Sequence, residues 1–213
     1  MNERDDGIIL RTRPLTETSL IVHWLTASHG RLSTVAKGAR RTKSQFKGKL
    51  DLFFESEIFI QPSRRSDLHT LKEIQTRSTH DALRRNINSL NLLAHGVKLI
   101  EKTTETEAPL PGIHAIVSSL LGHLDDADVR PALVYGLEIK LLNELGLGPA
   151  LNEQHLSQSA RELLEQMAAL HWRAITKLKP TRKAATEAGN FLQQCWAEQL
   201  GFQPKLRAEL VAV

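Results

Sequence analysis

Residues Ser19–Lys37, SLIVHWLTASHGRLSTVAK, hold two extended segments joined at a tight corner. Ser19–Thr26 is apolar at nearly every position, the composition of a strand covered on both faces. Ser28-His29-Gly30 is a turn signal, and Arg31–Lys37 alternates polar and apolar as a second strand does, so the pair forms a hairpin. Upstream, Ile8, Leu10 and Thr12 alternate with Ile9, Arg11 and Arg13 until Pro14 ends the run. Downstream, Leu52–Ile60 places Leu52, Phe54, Ile58 and Ile60 on one face. Pro62 and Ser63–Asp67 then turn the chain into a fifth run, Leu68–Thr76.

Five antiparallel strands in some seventy residues, with one long connection, predict a small closed or partly open barrel. The oligonucleotide-binding barrel is the architecture of this size, although strand number alone also suits an SH3-like barrel. The long connection lies within Gly30–Lys49, GRLSTVAKGARRTKSQFKGK. This stretch carries Arg31, Lys37, Arg40, Arg41, Lys43, Lys47 and Lys49 and no carboxylate. Clustered cations of this kind are favoured by phosphates, which release condensed counterions on binding, and they contact phosphate without reading sequence. A solvated loop without a ligand has the same composition. Arg11 and Arg13 share a strand face and can extend the track; ordinary solvent exposure is the plain alternative. Phe46, among the charges, either stacks on an unpaired base or anchors the loop to the barrel. Arg64 and Arg65 sit on another loop, and Trp24 belongs to the core.

Charge is uneven along the chain. The 213 residues carry a net +4, but residues 1–77 hold 14 Lys+Arg against 9 Asp+Glu, and the remainder is slightly acidic. Such asymmetry points to nucleic acid or an acidic surface as the partner of the first part. The single cysteine, Cys195, excludes an internal disulfide and a cysteine-rich zinc site. The start MNERDDG is not a secretory signal, no run of 18 apolar residues exists, and a cytoplasmic protein is expected.

Beyond residue 78 the periodicity becomes helical. Ser78–Asp81 reads as a capping box, followed by the stripe Leu83, Ile87, Leu90, Leu93, Val97 and Ile100. Pro111 opens a second helix to about Leu124, and Pro131–Leu145 forms a third, stopped by Gly146, Gly148 and Pro149. A fourth helix capped by Ser159 reaches Leu178, and a fifth spans Arg182–Leu200. The fold class is therefore α+β, with a barrel domain over 1–78 and an all-α scaffold or partner domain over 79–213.

The run RPLTETSLIVHWLTASHGRLSTVAKGARRTKS (Arg13–Ser44), then HTLKE (His69–Glu73) and LEIKLLNELGLGPAL (Leu137–Leu151), resembles, in that order, the bacterial recombination mediator family RecO. The resemblance implies an oligonucleotide-binding barrel followed by a helical domain. It implies binding of single- and double-stranded DNA and annealing of complementary strands. It also implies help in replacing single-strand-binding protein with RecA, a RecR partner, and a nucleoid-associated place in the cytoplasm. Many members carry a four-cysteine zinc element after the third helix; here Leu151 leads straight into NEQHLSQSARELLEQ, and His155 alone makes no site, so no metal or other cofactor is expected. Some relatives place an arginine pair at the start of that helix, where the acidic tail of single-strand-binding protein docks. This chain has Val134, Tyr135 and Gly136 there, with Arg130 upstream. Arg130 and Tyr135, with Arg182 and Lys183 beside Pro180, are the candidate partner-binding residues.

Catalysis has little to stand on. GxxxxGK[ST], GxSxG and HExxH are all absent. The carboxylates of Glu3–Asp6 and Asp125–Asp128 read as a terminus and a helix cap, and a non-enzymatic protein is expected. An RNA-binding barrel or a protein adaptor is the alternative to the DNA-repair reading.

Overall fold

A computed structural model describes residues 2–148, 156–202 and 205–211 of the chain. The chain divides into two compact units. One holds residues 1–81 with 104–121, the other 82–103 with 122–213.

The first unit is built on five strands: β1 (Glu3–Pro14), β2 (Leu20–Thr26), β3 (Gly30–Ala36), β4 (Glu55–Gln61) and β5 (Leu68–Ser78). They close in the order β1-β2-β3-β5-β4, with β4 pairing back onto β1. This is the oligonucleotide-binding barrel, followed by helices, that the sequence predicts. Its pairing differs in one respect: β3 and β5 run parallel over Ser33–Val35 and Leu68–Thr70. The reason is geometric. Directions cannot alternate all the way around a ring of five strands, so one neighbouring pair must be parallel.

β1 serves two neighbours, β4 through Glu3–Ile8 and β2 through Gly7–Pro14, with a bulge between Ile9 and Arg11. A bulge bends a strand and raises its twist, which lets one strand turn the barrel corner. The inserted residue breaks the expected alternation, and Ile8, Ile9 and Leu10 are all buried. β4 starts three residues later than expected. Phe53 takes a left-handed conformation (φ 63°) and donates its backbone N–H to Ile9 O at 2.8 Å, which leaves Leu52 exposed outside the strand. The barrel core is Ile9, Val22, Trp24, Leu32, Phe54, Ile58, Ile60, Leu71 and Ile74, with Phe46 and Ala36. Trp24 is fully buried and donates Nε1–H to Thr34 Oγ1 at 2.9 Å, so the expected core role holds.

Two further pieces complete this unit. Residues 104–107 lie along β3, with Glu107 N donating to Arg31 O at 2.7 Å. Gly30 makes that approach possible: its φ is +68°, and a Cβ there would meet Ala108 O at 1.9 Å. The helix α2 (Pro111–Leu124) follows, with its residues up to 121 in this unit.

In the second unit a 3-10 turn (Asp81–Arg85) leads into α1 (Ile87–Thr103). The expected capping box does not form, because Ser78 is the last residue of β5. Asn86 caps α1 instead, its Oδ1 accepting from Asn88 N at 3.0 Å and Ser89 N at 3.4 Å. The buried face of α1 includes Leu92, Leu93, His95, Gly96, Leu99 and Ile100, so Leu93 and Ile100 of the expected stripe are buried while Ile87 is 66% exposed. The helix α3 (Pro131–Glu144) is the hub, touching α1, α4 (Gln158–Ala169), α5 (Trp172–Ile175), α6 (Arg182–Leu200) and α7 (Lys205–Val211).

The single helix expected over residues 159–178 is two. Ser157, not Ser159, is the cap, and Glu187 holds it by accepting from Ser157 N at 2.7 Å and Oγ at 2.5 Å. The break at Leu170–His171 re-phases the chain so that Trp172 and Ile175 pack over Gly136, where a Cβ would stand 3.0 Å from Ile175 Cδ1. α6 runs as expected, with Thr181 at its N-cap and Gly201 left-handed at its end.

Candidate nucleic-acid interface

The segment between β3 and β4 has no helix or strand, yet it is fixed. Successive turns wind it through Arg41 N to Gly38 O, Ser44 N to Arg41 O, Lys47 N to Ser44 O and Lys49 N to Phe46 O, each between 3.0 and 3.2 Å. Gly38 and Gly48, both with φ near +70°, supply left-handed corners that other residues resist. Further hydrogen bonds tie the segment down. Arg40 N donates to Thr18 O at 2.9 Å and Arg40 Nη1 to Thr16 O at 3.1 Å. Gln45 Nε2 donates to Lys72 O at 3.0 Å, and Lys49 Nζ to Ile74 O at 3.4 Å.

Phe46 is the central pin. It is 3% exposed and packs in the barrel core, with Ala39 and Leu50 beside it. Of the two roles open for Phe46, the structure takes the anchor. Its ring cannot stack on a base in this conformation, because the barrel already covers it.

Lys37, Arg40, Arg41, Lys43 and Lys47 are exposed around that pin, and Lys49 is half-buried. Among the described residues no carboxylate pairs with any of these six. Arg11 and Arg13 are exposed on β1, where they pair with His23 and Ile21 of β2. Arg31 is placed differently. It is half-buried, donating Nε–H to Thr104 Oγ1 at 2.7 Å and Nη2–H to Thr104 O at 2.5 Å. These bonds clamp residue 104, beside β3, to the strand that carries Arg31. Its position inside a strand, rather than in the loop, is the sequence signal for that difference.

Between the segment and the barrel lies an open cleft of about 470 Å³. Leu20, Phe46, Leu50 and Phe54 make an apolar floor, and Arg40, Arg41 and Lys47 stand on its rim with Thr42 and Asp51. The sequence reading did not find this cleft. Its floor joins Leu20 of β2 to residues 46–54, and nothing in the sequence announces that the two stretches meet.

The barrel also carries cations that are already neutralised. Arg4 and Arg77 both donate to Glu57, at 2.6 and 2.7 Å, and Arg77 also pairs with Asp6 at 3.1 Å. Hydrogen bonds from the two guanidiniums hold the Glu57 carboxyl below its ordinary range. A second cleft, of about 210 Å³, is lined by Asp6, Glu55, Arg77, His114 and Ser118. Burial would raise the Glu55 carboxyl, but hydrogen bonds from His80 and Ser118 outweigh it and lower the pKa. Burial lowers the His114 pKa against the pull of Glu55, Asp5 and Asp6.

The candidate partner-binding residues are not gathered into one site. Arg130 is exposed and lines a cleft of about 350 Å³ with Asp126, Asp128 and Lys177. Tyr135 is half-buried against Gly189 with the Arg207 guanidinium 5.6 Å from its ring. Arg182 and Lys183 are exposed in the first turn of α6. His155 and the end of the LEIKLLNELGLGPAL run lie outside the described residues. Among the described residues no group of three or more His, Cys, Asp or Glu is placed to hold a metal ion. Burial pushes the Cys195 thiol up to about 11, which leaves it unreactive at neutral pH.

Residues 1–80 match the family described as Recombination protein O N terminal, and residues 84–157 match Recombination protein O C terminal. The chain is similar to the DNA repair protein RecO of Salinibacter ruber, 31% identical over 152 residues, 70% of this chain and 58% of that protein. It is similar to the RecO of Bacillus pumilus, 27% identical over 150 residues, 70% of this chain and 58% of that protein. It is likewise similar to the RecO of Bacillus subtilis strain 168, 26% identical over 147 residues, 69% of this chain and 57% of that protein. In each case the match spans less than two thirds of the relative's own length.

Proposed function

We propose, because this chain belongs to the RecO family of DNA repair proteins, that it is a non-catalytic recombination mediator whose barrel holds DNA by its phosphates. The observation that carries the reading is the pinned segment Lys37–Lys49, with five exposed cations and no carboxylate paired to them among the described residues. Single and double strands both present phosphates, so both are ligands. Two complementary strands repel each other, and a basic surface that holds both lowers that barrier to annealing. In the cell this activity acts on strands covered by single-strand-binding protein, together with RecR, and leads to loading of RecA. Neither metal nor nucleotide enters the reading.

Arg130, Tyr135, Arg182 and Lys183 stand as the proposed partner-binding residues of the helical unit, with Arg130, Arg182 and Lys183 exposed. Domains at 1–78 and 79–213 and a cytoplasmic, nucleoid-associated location go with this reading. Among the described residues no helix is long and apolar enough to cross a membrane.

The test is annealing of complementary oligonucleotides coated with the cognate single-strand-binding protein, in EDTA and without ATP. Acceleration is expected. Acceleration only on naked strands would keep the DNA surface and remove docking to the coat protein. No acceleration with folded protein on either substrate would leave the RNA-binding or adaptor reading.

A further inference from the structure

The phosphate track explains affinity but not how single and double strands are told apart. We infer that the cleft beneath the basic segment receives one unpaired base from a bound single strand and so favours single over double strand. The inference rests on the DNA-binding reading above.

Three observations carry it. The cleft's floor is apolar and in part exposed, with Leu20 and Leu50 only half-buried. An exposed apolar recess inside a cluster of unpaired cations suits a ligand that is apolar in its body and anionic along its edge. A nucleotide chain is such a ligand, with bases that present π-faces and phosphates that meet Arg40, Arg41 and Lys47 on the rim. The volume, about 470 Å³, falls within the range of small-molecule sites.

The cleft is also preformed. Phe46 pins the segment from inside, and hydrogen bonds from Arg40, Gln45 and Lys49 fix it along its length. Little ordering is then needed on binding, which raises affinity for whatever fits. A duplex keeps its bases paired and stacked and cannot fill the recess without unpairing one. The cations serve both forms, and the recess serves only the single strand. Phe46 thus acts on bases indirectly, by holding up the floor.

The experiment uses the full chain and three oligonucleotides of equal length and charge: one of ordinary bases, one wholly abasic, and one abasic except for a single 5-iodouracil. Affinities are read by anisotropy at one salt concentration. The ordinary strand should bind at least about five-fold more tightly than the abasic one, as expected when one base covers about 40 Å² of the apolar floor. Irradiation should cross-link the iodouracil to the peptide holding residues 39–54. Equal affinity for the ordinary and abasic strands would overturn the base recess while leaving the phosphate track in place. A cross-link elsewhere would overturn its location. Failure of every oligonucleotide to bind at low salt would instead remove the DNA-binding reading itself.

Discussion

Replacing Phe46 with alanine separates the two roles of this residue most sharply. Phe46 is 3% exposed and packs in the barrel core with Ala39 and Leu50 beside it. A buried aromatic side chain removes about 150–250 Å² from water. At about 25 cal/mol per Å² its transfer is worth roughly 4–6 kcal/mol relative to full exposure, of which alanine retains a small part. Measured Phe→Ala changes in cores fall near 3–5 kcal/mol. Phe46 lies in a turn-rich segment rather than a strand, so the site can partly collapse, and about 3 kcal/mol is expected for Phe46→Ala. Phe46→Leu, which keeps an apolar plug, should cost about half as much or less. The assay is urea denaturation of the barrel unit within the full chain, with single-strand affinity measured in parallel well below the midpoint. Stability should fall for Phe46→Ala, and affinity should fall only as the segment loosens, with Phe46→Leu nearly unchanged. If Phe46→Ala left stability within 0.5 kcal/mol, near the scale of ordinary surface changes, while Phe46→Leu lost affinity as fully as alanine, the anchor would be refuted and the base platform restored.

Arg40→Glu with Arg41→Glu should weaken binding of single strands of any sequence and flatten the dependence of log K on log salt by about 1.4, the loss of two phosphate contacts. An unchanged slope would exclude both residues from the track. In the helical unit Glu138 is fully buried and takes Arg207 Nε at 2.7 Å, Arg207 Nη2 at 3.0 Å and His95 Nε2 at 2.9 Å. Arg207→Met leaves that charge with His95 alone and should destabilise the unit by about 3–5 kcal/mol; a loss below 1 kcal/mol by urea melt would refute the clasp. The barrel unit should lose stability on acidification in two windows. His114 has its pKa lowered by burial, so the unfolded chain binds its proton more readily, and stability present above about 6.5 falls below it. Asp5 and Glu55, lowered overall by hydrogen bonds despite burial, add stability that is present above their unfolded values of 3.8 and 4.5 and lost as pH falls through the folded ones. Urea midpoints at pH 7.5, 5.5 and 4 test this, and a His114→Asn chain should lose the first step only; identical midpoints at pH 7.5 and 5.5 would refute the histidine contribution.

Much of this molecule is legible in the order of its residues. The apolar run of β2, the alternation of β3, the prolines at 14 and 62 and the helical spacing after residue 78 depend on neighbours a few positions apart, and local patterns record them. So do the Thr181 cap and Gly201 stop of α6. Misreadings arise where distant parts decide. The break before Trp172 answers to Gly136 on α3, and the start of β4 answers to a hydrogen bond between Phe53 and Ile9. The hydrogen bonds from Arg31 to Thr104, 73 residues on, are likewise invisible in local pattern.

The sequence by itself determined that a barrel precedes a helical part, that positive charge gathers between β3 and β4, and that the chain resembles a family acting in DNA repair. The first two are properties of composition and short period, and the third is a resemblance carried by motifs in their order along the chain. Only the tertiary structure decided which cations face solvent, that Phe46 points inward, and that an apolar cleft opens under the charges. Those depend on packing between stretches far apart in the chain, where side chains compete for one limited volume and a residue's role is set by what already fills the space beside it.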